Sequence, residues 1–548
     1  MEDPKPRIPR HVWFPVVFAL VLASGIVAGR YLGKPVIGPV RESSASYQKL
    51  REILGYIDKE YVDTVNRSAL TDDAIRALLE KLDPHSQYIS TEEFAEMNDP
   101  LMGGFEGIGV QFNVMKDTIL IVQVIPGGPS EKAGLLAGDR IICVDGDTLT
   151  GPGLKSSDVV RRLKGPKGTV VVVSVARKGV AGLRDFTLIR DVIPTYSIDV
   201  SYIAAPGIGY IRLSRFSVTT AREFKESLTE LISMGATSLI LDLRGNTGGY
   251  LEAAISLADE FLERDQLIVY TEGRSRPRRY SYATRQGNFE NRPLVILLDE
   301  GSASASEILA GAIQDNDNGL IMGRRSFGKG LVQEQLQLPD GSAIRLTVAR
   351  YYTPSGRSIQ RPYENGREAY FHDFMDRMEK GELESADSIH FPDSLKYKTV
   401  AGRTVYGGGG ITPDVFVGIQ RDERLGYYNA LVNSGVLYQY CFDYTDRERE
   451  RLRAFPTIED FDQRYKLGSD VFQGLVNEAS RQGITASDDE MSFSRNKIEG
   501  LMKAYIARNL FNDAGFYKLF NQQDETFLKA VEILREGGDY PSLLRAGR

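Results

Sequence analysis

A run of small residues, Gly301-Ser302-Ala303-Ser304-Ala305-Ser306, ends in Glu307 and is caught between two apolar segments of different period. Before it, Pro293-Leu-Val-Ile-Leu-Leu-Asp299 is continuously apolar and bounded by a proline and a turn, which predicts a buried strand. After it, Ile308, Leu309, Ala312 and Ile313 fall at helical spacing. The chain must pass from strand to helix over these small residues, which lifts a serine to the carboxyl edge of a sheet. The first amides of the helix are unpaired there and suit an anion. Two readings stay open from this stretch alone. Ser304-Ala-Ser-Glu307 is a capping box, in which the serine only satisfies a helix end, or the same serine is a nucleophile.

The histidines narrow the chemistry. His11, His85, His372 and His390 are the only four, and none lies between residues 86 and 371. A serine–histidine–acid triad finds no persuasive histidine, and a zinc site is equally poor in ligands, so neither metal nor cofactor is expected. The base for a nucleophilic serine has to be another residue type. A formal charge of −7, with no basic stripe and interleaved aromatics, argues against nucleic acid as a partner. Cys143 and Cys441 lie far apart without metal-type neighbours and read as core residues.

At 548 residues the chain should hold several domains. Lys5, Arg7 and Arg10 precede an uncharged run from Val12 to Gly29, closed by Arg30. Residues 1–30 therefore read as a signal-anchor or a signal peptide. Either places residues 31–548 outside the cytoplasm, on the periplasmic side of a bacterial inner membrane, anchored or soluble. Residues 41–103 read as a helical segment. One apolar stripe comprises Tyr47, Leu50, Ile53, Leu54, Ile57 and Tyr61; a second comprises Ile75, Leu78, Leu79 and Leu82. Leu82-Asp-Pro-His-Ser-Gln-Tyr88 ends it in a turn. The segment reads as a packing or dimerisation element, which leaves a homo-oligomer open.

From 104 to 192 the text is β-rich. Gly107-Ile-Gly-Val-Gln-Phe112 opens it, strands are expected near Thr118–Val124, Arg140–Val144, Thr169–Arg177 and Asp185–Ile189, and a short helix near Ser156–Lys164. This order, the glycine-rich opening and Ala133-Gly134…Gly138-Asp139-Arg-Ile resemble a PDZ domain. Such a domain adds an extended peptide to a sheet edge. The resemblance implies that the amides of Gly107, Ile108, Gly109 and Val110 hold a terminal carboxylate, with the helix containing Val159 and Val160 lining the pocket for the last apolar side chain.

Residues 193–418 alternate strands with helices, which implies an α/β layered core. Strands are expected at Ile208–Leu213 and Ser238–Leu243, and helices at Thr219–Met234 and Leu251–Leu262. Asp242-Leu-Arg-Gly-Asn-Thr-Gly-Gly249 joins a strand to a helix, and its glycine pair exposes amides suited to an oxyanion. An ordinary strand-to-helix turn would use glycines too. Gly323-Arg-Arg-Ser-Phe-Gly-Lys-Gly-Leu-Val-Gln333 sets Lys329 between two glycines in an apolar context. Most lysines are solvated surface groups, and this one alone would be read so.

Together, in this order and at these spacings, the three stretches resemble the carboxyl-terminal processing (tail-specific) proteases. The resemblance extends to Tyr352-Thr-Pro-Ser-Gly-Arg-Ser-Ile-Gln360 and Gly410-Ile-Thr-Pro-Asp-Val415. It implies a multi-domain α/β protein with a core similar to the crotonase and Clp-protease folds, a PDZ domain and a serine–lysine dyad. Ser304 then matches the nucleophile, Lys329 the general base and Gln333 the residue that orients the lysine. The amides of Ala305 and of Gly248 or Gly249 match the oxyanion hole. Lysine acts as a base only when neutral, so its ordinary value near 10.4 must fall by about 3 units. An apolar pocket supplies that shift, and a glutamine adds no charge.

Residues 363–406 are polar and read as a surface insertion, and 419–548 as a helical extension of open role. The leading function is an exported serine endopeptidase that binds apolar C-terminal protein tails. A non-catalytic PDZ adaptor on the same fold is the alternative, and an acyl-CoA enzyme is disfavoured by the PDZ segment and the export signal.

Overall fold

The computed structural model of the protein describes residues 45–115, 117–535 and 538–545. The expected signal or anchor at 1–30 lies outside them. Among the described residues no helix is long and apolar enough to cross a membrane. The chain divides into two compact units, Met1–Ala77 and Leu78–Arg548. In the first, the amphipathic helix Ala45–Glu60 leaves Leu50, Ile53 and Tyr56 exposed.

In the second unit, a five-strand path runs through Val110–Met115, Thr118–Val124, Arg140–Val144, Val170–Ala176 and Leu183–Ile189. Pairing of Gly104–Gly107 with Asp191–Pro194 brings the two ends of this module together. Its core follows from alternation. Val171, Val173 and Val175 are fully buried between outward-facing neighbours, and helix Ser156–Leu163 adds Val159 and Leu163.

The central sheet has the strand order Ile198–Ala205, Ile208–Leu213, Ser238–Asp242, Leu294–Leu298, Leu320–Gly323, Val415–Phe416. All pairs but the first are parallel. Of the two middle strands, Leu294–Leu298 is an unbroken apolar run and Ser238–Asp242 is apolar at its three central positions, because both of their faces are covered. Leu239, Leu241, Leu294 and Ile296 pack towards the helices Thr220–Ser233, Leu251–Ala258 and Ala305–Asp315. Ile240, Val295, Leu297 and Met322 face the other way, onto Phe527, Val531, Ile533 and Tyr540. The last helices, Glu525–Leu534 and Tyr540–Arg545, thus complete the core. Each such side chain contributes about 1.5–3 kcal/mol by burial.

The rest of the extension has its own core around Leu437, Cys441, Phe461, Leu475, Ile498 and Met502. Its helix Val436–Arg447 also touches the PDZ-like module, with Phe442 against Leu120 and Val122. Cys441 is buried and Cys143 only half-buried; both are free thiols.

A second, antiparallel sheet carries Leu331–Gln337 against Ala343–Tyr352, which also pairs with Gln87–Ile89 and Leu267–Gly273. The segment 363–406 is more than surface. Its helix Arg367–Glu379 buries Arg377, which donates to the carbonyls of Arg325 (2.7 Å) and Ser326 (3.2 Å) behind the lysine loop.

Candidate active site

Three loops meet at the carboxyl ends of the central strands. The first ends the buried strand Leu294–Leu298 and starts helix Ala305–Asp315. Of its three serines, Ser302 and Ser306 are fully buried and donate to the carbonyls of Leu243 and Asn246, each at 2.9 Å. Ser304 is only half-buried and sits at φ 55°, ψ −112°. That backbone conformation costs a non-glycine residue about 1–3 kcal/mol, and a strained strand-to-helix turn is what presents a nucleophile. The capping box is also present, with the Ser304 N–H donating to Glu307 Oε2 at 2.8 Å. Cap and candidate nucleophile are one residue.

The second loop, Asp242–Gly249, is fastened from both ends. Asp242 is fully buried and receives Tyr210 Oη (2.9 Å) and the guanidinium of Arg244 (2.7 Å). Burial alone would raise its carboxyl, but Arg244 and Arg212 outweigh burial and hold it at about 2. Arg244 in turn donates to both oxygens of Asp524 in the extension, at 2.8 and 3.0 Å. Asn246 donates to the Leu213 carbonyl (2.8 Å), and its own carbonyl accepts the Ala303 N–H (2.9 Å). The loop is therefore stitched to the serine loop.

Both glycines lie at positive φ, 98° for Gly248 and 149° for Gly249. A Cβ on Gly248 would stand 2.8 Å from Ser304 Cβ, and one on Gly249 would stand 1.9 Å from the Phe216 carbonyl oxygen. Side chains do not fit at either. The two amides differ in use. The Gly248 N–H donates to Asn246 Oδ1 at 2.9 Å, whereas those of Gly249 and Ala305 donate to nothing among the described residues. Ala305 is the first helical residue, where an orphan amide is normal.

The third loop precedes Leu331–Gln337 and carries Lys329. Its Nζ donates to Gln333 Oε1 at 3.0 Å, and Gln333 Nε2 donates to the His85 carbonyl at 2.7 Å. That second bond fixes which end of the amide faces the lysine. Burial, and then the Arg345 guanidinium, pull Lys329 down to about 8, against Glu307 and Asp83. An amine lowered this far is neutral in a large fraction of molecules at mildly alkaline pH and can then accept a proton.

Four further groups complete the arrangement, and sequence reasoning missed their roles. Glu307, read only as a cap, is fully buried and accepts four hydrogen bonds. They come from the Ser304 N–H, Ser326 Oγ (2.5 Å), the Gly328 N–H (2.7 Å) and the Lys329 N–H (2.9 Å). Burial raises it to about 6 despite these donors. The hydroxyl of Tyr351 lies within donating reach of the Lys329 and Ser304 carbonyls.

The turn read as mere punctuation supplies the last two. Asp83 accepts the His85 N–H, the Ser86 N–H and Thr347 Oγ1, and so sets the His85 carbonyl that Gln333 reaches. The His85 ring meets Tyr370 Oη at 2.9 Å, and burial, then Lys329, lower it to about 3, so it stays neutral. Paired signals of this kind, through a backbone carbonyl 248 positions away, leave no trace in a single sequence.

In the PDZ-like module, Gly107 closes one strand and Val110 opens the next, with Gly109 at φ 77° between them. The amides of Ile108 and Gly109 donate to nothing among the described residues, while the Ile108 carbonyl accepts Ser130 Oγ at 2.6 Å. Of the two valines expected to line the pocket, Val159 is instead fully buried in the module core and only the half-buried Val160 is accessible.

Residues 207–364 match peptidase family S41, residues 120–177 match the PDZ domain, and residues 427–512 match a family of unknown function (DUF8443). A carboxy-terminal-processing protease of Bartonella bacilliformis is 38% identical over 56% of this chain and 71% of its own length. The carboxy-terminal processing protease CtpA of Bacillus subtilis is 33% identical over 64% of this chain and 75% of its own. A carboxyl-terminal-processing protease of Synechocystis is 38% identical over 53% and 69%. A PDZ-containing α/β chain of this similarity, with a serine loop and a half-buried lysine loop meeting at one sheet edge, belongs to the carboxy-terminal processing proteases of peptidase family S41 and is a serine-type peptidase.

Proposed function

We propose that Ser304 attacks the scissile carbonyl while Lys329 Nζ takes its proton, with Gln333 holding the amine in line. The amides of Ala305 and Gly249 receive the developing oxyanion. Lys329 then returns the proton to the leaving amine, and water releases the acyl group by the reverse sequence. The substrate is a protein tail, its end held at Gly107–Val110 and its last apolar side chain beside Val160. The observation that carries this reading is Lys329: half-buried, lowered to about 8 chiefly by desolvation, and bonded at Nζ to a neutral amide rather than to a carboxylate. The N-terminal basic and apolar run supports export to the periplasmic side of an inner membrane. The exposed apolar stripe of Ala45–Glu60 supports self-association.

The test is cleavage of an unfolded protein with an apolar C-terminal tail by the full chain and by Ser304→Ala. Loss of at least about 10³-fold in the variant is expected. Equal cleavage by both would remove Ser304 from the chemistry, and no cleavage by either would favour the adaptor. The pH profile is a separate check. The base must be neutral, so kcat/KM of the parent should rise with pH along a limb near 8. A limb near 6.5 would instead point to a histidine.

A further inference from the structure

Arg345 lies opposite Gln335 and, on its other side, opposite Gln87. Gln333 lies opposite Thr347 on the same strand pair. Side chains alternate along a strand, so Gln333, Gln335, Arg345 and Thr347 share one face. Arg345 is therefore diagonal to Gln333, about 7–8 Å away by backbone spacing, on the face where Gln333 holds Lys329.

The guanidinium has one hydrogen bond, from Nη2 to Gln335 Oε1 at 2.9 Å, and no carboxylate partner among the described residues. Other arginines around the lysine loop are paired: Arg324 with Glu300, Arg325 with Glu382 and Arg361 with Asp373. Arg345 is half-buried, and burial works against its charge. Its charge reaches Lys329 on one side and Tyr250, the residue after the oxyanion glycines, on the other. A partly desolvated cation without a counter-charge is costly and calls for an anion that the chain itself does not supply. A guanidinium fork fits a carboxylate in two-point fashion.

We propose that Arg345 is a specificity residue that receives a carboxylate of the substrate beside the scissile bond. This rests on the reading of Ser304 and Lys329 given above. The carboxylate has two sources, an acidic side chain near the cut or the free end of a short peptide.

The experiment uses the full chain and a set of fluorogenic peptides, each position in turn carrying Glu, Gln or Lys, with free and amidated C-termini. At one position Glu should be favoured over Gln by at least 10-fold in kcat/KM, expressed mainly in KM. Arg345→Gln should level that ratio, Arg345→Lys should retain part of it, and Arg345→Glu should turn it in favour of a lysine peptide. If amidation rather than the Glu-to-Gln change erases the preference, the free end is the ligand. The groups facing Lys329 are Glu307, Asp83, His85 and Arg345, so Arg345→Gln should also move the limb near 8 upward.

A moved limb with an unchanged Glu preference, or no carboxylate preference in the parent at any position or end, would overturn the proposal. Ser304→Ala separates the two failures. Activity surviving in that variant defeats the catalytic reading, while activity lost there with a flat charge profile defeats only Arg345.

Discussion

Lys329→Met is expected to be inactive and, at pH 7, more stable than the parent. The lysine falls from 10.5 to about 8 in the folded chain, chiefly through burial. Below pH 8 the amine is protonated in both states, and the folded state alone bears a poorly solvated cation. The penalty is fully present there and fades as pH rises from 8 to 10.5. A shift of that size corresponds to about 3 kcal/mol. Methionine has similar bulk and no charge, although Gln333 Oε1 loses its donor, so a net gain of about 1–3 kcal/mol at pH 7 is expected. Thermal unfolding at pH 7 and at pH 10.5 reads it, and the gain should vanish at the higher pH. Activity should drop by at least about 10³-fold. Lys329→Arg should be equally inactive without the gain, because arginine does not give up its proton. Appreciable peptidase activity in the arginine variant would remove Lys329 as the base.

Glu307→Ala should be among the most damaging substitutions in the chain. It strands the Ser326 hydroxyl and the Ser304, Gly328 and Lys329 amides inside the core. Unpaired buried donors cost about 1–3 kcal/mol each, so a loss of more than about 3 kcal/mol is expected. Glu307→Gln is the sharper probe. Each carboxylate oxygen accepts two donors, and an amide necessarily turns an NH2 against one of those pairs. A fall of about 10²-fold in kcat is expected with the fold retained. The electrostatic effect runs the other way, since loss of a negative charge would lower Lys329 further. A fall in kcat therefore reports displaced geometry, whereas unchanged or faster turnover would show that Glu307 does not align the two loops.

The sequence made the order of the strands, the serine turn and the lysine loop readable, because each depends on local signals: apolar period, proline and glycine punctuation, small residues in a turn. What joins those pieces was not readable. Glu307 looks like any N3 glutamate of a capping box, and its other three donors come from residues 19 to 22 positions later. Asp83 and His85 looked like a turn, and they act on Gln333 through a backbone carbonyl that any residue would possess. The glycine pair 248–249 was visible, but the choice between its amides depends on the Asn246 side chain. The extension read as helical packing. That it covers the far face of the central sheet follows only from tertiary placement, since Ile240, Val295 and Leu297 carry no mark of their partner.

That cover makes the site depend on residues remote from it in the chain. Every residue proposed for catalysis lies between 248 and 333, yet Phe527, Val531, Ile533 and Tyr540 close the sheet that carries them, and Asp524 clasps Arg244 beside Gly248 and Gly249. The residues at the site and the wall behind them thus come from stretches about 200 positions apart in the chain. Removing Glu525–Leu534 and Tyr540–Arg545 is therefore expected to abolish activity although every residue proposed for catalysis remains in the chain.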